Sequence, residues 1–282
     1  MKARCVLQAQ AGLAEGPHWW AEKGVLLWVD IEASRVGLFD PVTGRNRFLV
    51  VPSHVGAVVP MSDGELLVAT AQGFVRLHPD SGVVSSLHDP EHDQPGNRFN
   101  DGKCDPWGRF WAGSMAYDFA SGAGSLWRVN ADFSCVRQRQ GLTISNGLAW
   151  SQDRGTLYLI DSPTRQVLAF PLTPSGDLSG EATPCITIPE AWDALPDGMC
   201  IDAEGKLWIA LFGGGAVTRW DPASGLLLER LELPCRQVTS CCFGGPNLDQ
   251  LFVTTAKREM AAAAIEAEPL AGGLFQAAVG VQ

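Results

Sequence analysis

GVLLWVD at 24–30, GRFWAG at 108–113 and GKLWIA at 205–210 are copies of one phrase. A turn glycine is followed by an apolar strand with an aromatic at a fixed place, and the strand closes on a small or acidic residue. GELLVAT at 64–70, GTLYLID at 155–161 and DQLFVTT at 249–255 extend the series. The equivalent strand residues are Trp28, Val68, Trp111, Tyr158, Trp208 and Phe252, spaced by 40, 43, 47, 50 and 44 residues. A period of about 40–50 residues with several strands in each unit is the mark of a β-propeller.

A second segment follows each copy: RVGLFDPVTG, GFVRLHPDSG, GSLWRVNADF, QVLAFPLTPSG, AVTRWDPASG and GGLFQAAVG. These alternate apolar and polar residues, as half-buried strands do, and most end in a Pro/Gly turn. Six copies predict an all-β, six-bladed β-propeller occupying residues 1–282 as one domain. The last copy reaches the C-terminus with little chain left over. The strand around Arg4–Gln8 is therefore expected to close the ring and cover its open edge. Residues 86–97 and 114–123 are polar or small and are expected to be loops.

With 282 residues, 46% of them hydrophobic and 18% charged, the chain can bury a large core and is not intrinsically disordered. Its net charge is −10 and it has no Lys/Arg run, which argues against nucleic acid as a partner. No apolar run approaches the ~18 residues of a membrane helix, and the N-terminus lacks the apolar stretch of a signal peptide. The expected location is cytoplasmic, with no membrane partner; the oligomeric state is left open. None of the eight cysteines forms a C-x-x-C pair or a zinc-like cluster, so all are expected to be reduced thiols. The vicinal pair Cys241-Cys242 is expected to be buried alternately in a strand.

Another short strand precedes each phrase: EGPHWW, VGAVVP, NDGKCD, NGLAWS and DGMCID. In one register these place Glu15, Val55, Asn100, Asn146 and Asp197 at equivalent positions, with Ser240 or a neighbour in the sixth copy. The first strand of a propeller blade lines the central channel, so Glu15, Asn100, Asn146 and Asp197 should converge at one mouth. Hard oxygen donors that include two carboxylates suit Ca²⁺, Mg²⁺ or Mn²⁺. Asn-Gly and Asp-Gly are also turn formers, but Glu15 is a poor turn residue and shares the register.

Other positions carry less. Arg98 is placed to reach a substrate oxygen, Asp101 to support the site or a turn, and Asp118 to lie on a loop over the pocket. His18 and His54 near the repeat starts are expected to be packed or surface residues. Gly213-Gly214-Gly215 lacks a P-loop lysine, and there is no G-x-S-x-G elbow. The tryptophans are expected to pack the blades.

LAEGPHWW at 13–20, NRFNDGKCDPWGRFWAGSM at 97–115, ISNGLAWSQD at 144–153 and PDGMCIDAEGKLWIALFGGG at 196–215 resemble the gluconolactonase family that includes regucalcin, the senescence marker protein. The resemblance spans essentially the whole chain. It implies one divalent metal ion in the channel of a propeller, Ca²⁺ first, with Zn²⁺, Mn²⁺, Mg²⁺ and Fe²⁺ as alternatives. By motif, the metal ligands are Glu15, Asn146 and Asp197, and Arg98 and Asn100 match the substrate-binding residues of the R-x-N-D segment. Asp118 falls where some relatives carry an acidic substrate contact, although MAYDFA departs from their pattern. The implied reaction is hydrolysis of a sugar lactone, with Asp197 as ligand and catalytic base. Two alternatives stand beside it: a non-catalytic calcium-binding protein, and a hydrolase like the calcium-dependent phosphotriesterases.

Overall fold

The computed structural model of the protein describes residues 1–281. Six four-stranded antiparallel sheets follow one another around an axis. Blade 1 comprises Ala14–Trp20, Val25–Asp30, Arg35–Asp40 and Arg45–Val50. The inner strands of blades 2 to 6 are Val55–Pro60, Asn97–Cys104, Ser145–Trp150, Leu195–Ile201 and Val238–Gly244. Successive strands run outward from each of these. Blade 6 is completed by the N-terminal strand Arg4–Leu7, which pairs with Leu274–Ala278. The ring is thus closed as expected, by joining the two ends of the chain in one sheet.

The repeated phrase is the second strand of each blade, and its aromatic residue is why the phrase is legible. Trp28, Trp111, Trp208 and Phe252 are fully buried. The apolar residues fall into six clusters among the described residues, and each cluster joins two neighbouring blades. Leu27 and Val29 of blade 1 meet Val58 and Val68 of blade 2 in one; Trp28 and Phe39 meet Phe252 of blade 6 in another. Alternate residues of a strand face opposite sheet surfaces, so one middle strand feeds both interfaces. Cys241 and Cys242 illustrate this: the first packs between blades 5 and 6, the second between blades 6 and 1. All eight cysteines are free thiols.

Tryptophan inside a sheet needs a partner for its indole N–H. In blades 3 and 5 the partner is the aspartate that opens the turn before the strand. Trp111 Nε1 donates to Asp105 at 2.8 Å, and Trp208 Nε1 donates to Asp202 at 3.0 Å. Each aspartate also accepts two backbone N–H groups of its turn and one arginine.

Two expectations are corrected in detail. The strands Val84–His88 and Phe110–Ala116 extend into the segments read as loops, which shrink to 89–96 and 117–123. Val84–His88 is an outer strand with exposed serines, and so lacks the apolar alternation that signals a strand. A short helix, Ala262–Ala267, interrupts the otherwise all-β chain between the second and third strands of blade 6. Its alanine run is strongly helix-forming. Among the described residues no helix is long and apolar enough to cross a membrane.

Candidate functional site

Each inner strand departs from regular pairing at one place. The register shifts lie between Glu15 and His18, Val55 and Ala57, Phe99 and Gly102, Ser145 and Leu148, Pro196 and Met199, and Val238 and Ser240. A bulge turns a side chain away from the alternation of its strand. Here one bulge per blade turns the equivalent residues toward the axis. The dipeptides Asn146-Gly147 and Asp197-Gly198 are therefore not hairpin turns. Their glycines admit the neighbouring blade: a Cβ on Gly147 would lie 2.7 Å from the Asp197 carbonyl oxygen, and one on Gly198 would lie 2.0 Å from Ser240 Oγ.

The axis opens into a cavity of about 580 Å³, solvent at its mouth included, lined among others by Glu15, Arg98, Asn100, Asn146 and Asp197. Five of the six residues singled out from the sequence therefore meet in one place. Asp118 does not line it. Its Oδ1 accepts the N–H of Ala120 in its own turn at 3.0 Å, and it is exposed. The adjacent Phe119 faces the cavity instead. Val55 and Ser240, at the same register in blades 2 and 6, are buried and stand outside the lining.

The amide of Asn146 is oriented by a bond from Nδ2 to Ser162 Oγ at 3.1 Å, while its Oδ1 is buried with no hydrogen-bond partner. A buried carbonyl oxygen without a donor is costly, and this one belongs to a cavity-lining residue. Glu15 Oε2 accepts the Gly16 N–H at 2.8 Å. Both carboxyls, Glu15 and Asp197, are pushed well above the usual carboxylate range, chiefly by burial and then by neighbouring negative charge. Asp101 is buried beside them and raised by burial; its Oδ1 accepts the Gly102 N–H, and it stands outside the cavity lining. Two buried carboxylates and an unsatisfied amide oxygen form a set of hard donors with no ion-pair partner, although the Arg98 charge opposes the rise at Asp197. These residues fit a divalent cation of the Ca²⁺, Mg²⁺ or Mn²⁺ type. No group of three or more His, Cys, Asp or Glu arranged to hold a metal occurs among the described residues. The fit therefore depends on asparagine, as the sequence register implied.

Arg98 and Asn100 form one unit. Arg98 Nη1 donates to Asn100 Oδ1 at 2.8 Å and to the Phe99 carbonyl at 3.1 Å. Asn100 Nδ2 donates to the Ser145 carbonyl at 3.0 Å, tying blade 3 to the strand that carries Asn146. Burial lowers the Arg98 pKa to about 10, with Arg258 contributing next. His54 is a partly exposed residue whose Nδ1 lies 3.1 Å from Tyr117 Oη, and neither residue lines the cavity. His18 lies further along the inner strand of blade 1. Its pKa is lowered to about 4, first by burial and then by Lys103.

Sequence reasoning passed over Ser162, Phe119, Arg258 and Glu259, which also belong to the lining. Ser162 follows the second strand of blade 4, sixteen residues after the asparagine it orients. Phe119, Arg258 and Glu259 sit on loops outside the repeat. Nothing in the local pattern marks any of them.

Comparison with known proteins follows the same outline. Residues 13–257 match the model of the SMP-30/Gluconolactonase/LRE-like region. A Bacillus subtilis (strain 168) protein, YvrE, which is named as a sugar lactone lactonase, is 39% identical over 275 residues, covering 96% of this chain and 94% of its own. Regucalcin of Xenopus laevis is 37% identical over 281 residues, covering 98% of this chain and 94% of its own. The crystal structure of a calcium-binding protein, regucalcin, from Agrobacterium tumefaciens str. C58 superposes with a TM-score of 0.94 at 31% identity, covering 99% of this chain and 94% of that one.

Proposed function

The chain belongs to the SMP-30/Gluconolactonase/LRE-like family, and from that premise we propose that it is a metal-dependent carboxylic ester hydrolase that opens sugar lactones to aldonic acids. One observation carries the metal: the unpartnered Asn146 Oδ1 beside two buried carboxylates of separate blades. Glu15, Asn146 and Asp197 would hold the ion, with Ca²⁺ favoured by the all-oxygen donor set. The ion would supply Lewis-acid polarisation of the ester carbonyl.

The remaining chemistry belongs to the side chains. Asp197, buried and electron-rich, takes a proton from the attacking water as its oxygen adds to the lactone carbonyl. The ring C–O bond then breaks, and the proton passes to the departing ring oxygen. Arg98 and Asn100, already joined by a hydrogen bond, hold the sugar hydroxyls, fixing the carbonyl near Asp197. Asp118 is given no substrate contact, since its carboxylate caps its own turn.

The deciding experiment is hydrolysis of glucono-1,5-lactone, with the enzyme-free rate subtracted, before and after EDTA and after re-addition of Ca²⁺, Mg²⁺, Mn²⁺ or Zn²⁺. Metal-restored hydrolysis supports the reading. Bound metal with no hydrolysis of any aldonolactone returns the protein to a calcium-binding role.

A further inference from the structure

On the wall of the cavity the protein leaves positive charge without an ion-pair partner. Arg98 is 7% exposed, yet no carboxylate pairs with it among the described residues. It spends only Nη1 on protein acceptors, so its Nε–H and Nη2–H remain as a planar fork beside the cavity. A second guanidinium, Arg258, lines the same cavity from the blade 6 loop. Its Nη1 pairs with Glu32 and its Nε lies 3.5 Å from Glu259, leaving Nη2 free. Both of these pairs are partly exposed, and such pairs contribute little. The Arg258 guanidinium carbon lies over the Phe119 ring, 5.7 Å from its centroid, and both residues line the cavity.

Charge balance sharpens the point. Glu15 and Asp197 offset the two charges of a divalent ion, and Lys103 adjoins the remaining buried carboxylate, Asp101. Glu15 and Glu32 act on Arg98 without pairing with it, and a buried guanidinium that lacks an ion-pair partner is costly. A forked guanidinium matches a planar or tetrahedral oxyanion. We propose that Arg98 and Arg258 form an oxyanion subsite, so that the preferred lactone carries an anionic group, carboxylate, phosphate or sulfonate, at the end remote from the reacting carbonyl. This rests on the lactone-hydrolase reading above. It makes Arg258 a specificity-determining residue on a loop outside the repeat.

The test has two readouts. Background-corrected kcat/KM is measured for glucono-1,5-lactone, 6-phospho-glucono-1,5-lactone and a glucarolactone, the last two separating phosphate from carboxylate. Binding is measured by calorimetry on the metal-loaded protein with the non-hydrolysable pair glucitol and glucitol 6-phosphate, together with methyl glucuronide, whose carboxylate is at C6. At least one anionic lactone should be preferred by about tenfold or more, the scale of one charge-assisted hydrogen bond. The matching anionic ligand should bind tighter than glucitol by a similar factor. Arg258→Met should bring both ratios close to one, with Arg258→Gln as a second variant should the first fail to fold. Equal use and equal binding of neutral and anionic compounds would overturn the subsite, as would a ratio unchanged in both variants. Anion-preferring binding without hydrolysis would instead overturn the lactonase reading and leave the subsite standing.

Discussion

At the scale of single residues, Asp197 is asked to do two things that oppose each other. A bound cation lowers the proton affinity of a carboxylate, whereas burial and then the Asp101 charge raise it. Asp197→Asn keeps an oxygen ligand and removes the proton acceptor. At saturating metal it should retain part of the metal content and lose kcat by about a hundredfold or more. Loss of kcat strictly in step with loss of metal would reduce Asp197 to a ligand. His18 supplies a pH prediction away from the metal donors. Its folded pKa of about 4 lies below the ordinary 6.5, so the unfolded chain takes up the proton first as pH falls. The associated stability is present above 6.5 and is lost as pH falls toward 4. The ring is only half-buried, so about 2 kcal/mol is expected over that window. Denaturant midpoints of the parent and His18→Gln, measured at several pH values, should run parallel above pH 6.5 and separate at the acid end, where the parent alone loses stability. Curves that stay parallel down to pH 4 would show that His18 does not titrate on unfolding.

Elements decide where those residues point. The inner strands are short and apolar, and regular alternation alone would send Asn146 and Asp197 wherever the pleat dictates. The recurring bulge, with a glycine directly after the donor, sets their direction instead. Gly147 is the sharpest case, because a methyl group there meets the backbone of the strand that carries Asp197. Gly147→Ala should therefore displace that strand, costing about 1–3 kcal/mol as overpacking does. It should also weaken metal binding, although the residue touches no metal. Retained metal content at parental affinity, measured by titration after EDTA treatment, would show that the strand accommodates the methyl. Outside the channel, the same Asp-turn-Trp device recurs in blades 3 and 5, where Asp105 and Asp202 gather turn N–H groups, an arginine and an indole. That is why those two repeats are the easiest to see in the sequence.

For the molecule as a whole, closure is the weak point of a ring whose interfaces each join only neighbouring blades. Arg4–Leu7 covers the edge of Leu274–Ala278, and Arg4 Nη2 donates to Gln276 Oε1 at 2.7 Å. Removing residues 1–8 would expose that edge strand to other chains. The truncated protein should melt several degrees lower and form concentration-dependent aggregates in light scattering; an unchanged Tm with a monodisperse solution would mean that closure contributes nothing. The period, the buried aromatics, the ring closure and the shared register of Glu15, Asn100, Asn146 and Asp197 were all determined by the sequence alone. Each is a property of one repeat compared with the next, and a repeated environment selects a repeated residue type. Only the tertiary structure decided the rest. It turned Asn146 Oδ1 into an unsatisfied acceptor, gave Asn146 its orienting partner Ser162, put Phe119 rather than Asp118 over the cavity and brought Arg258 beside Arg98. Those relations join loops and blades far apart in the chain, and no local pattern encodes a contact whose two halves obey different repeats or none.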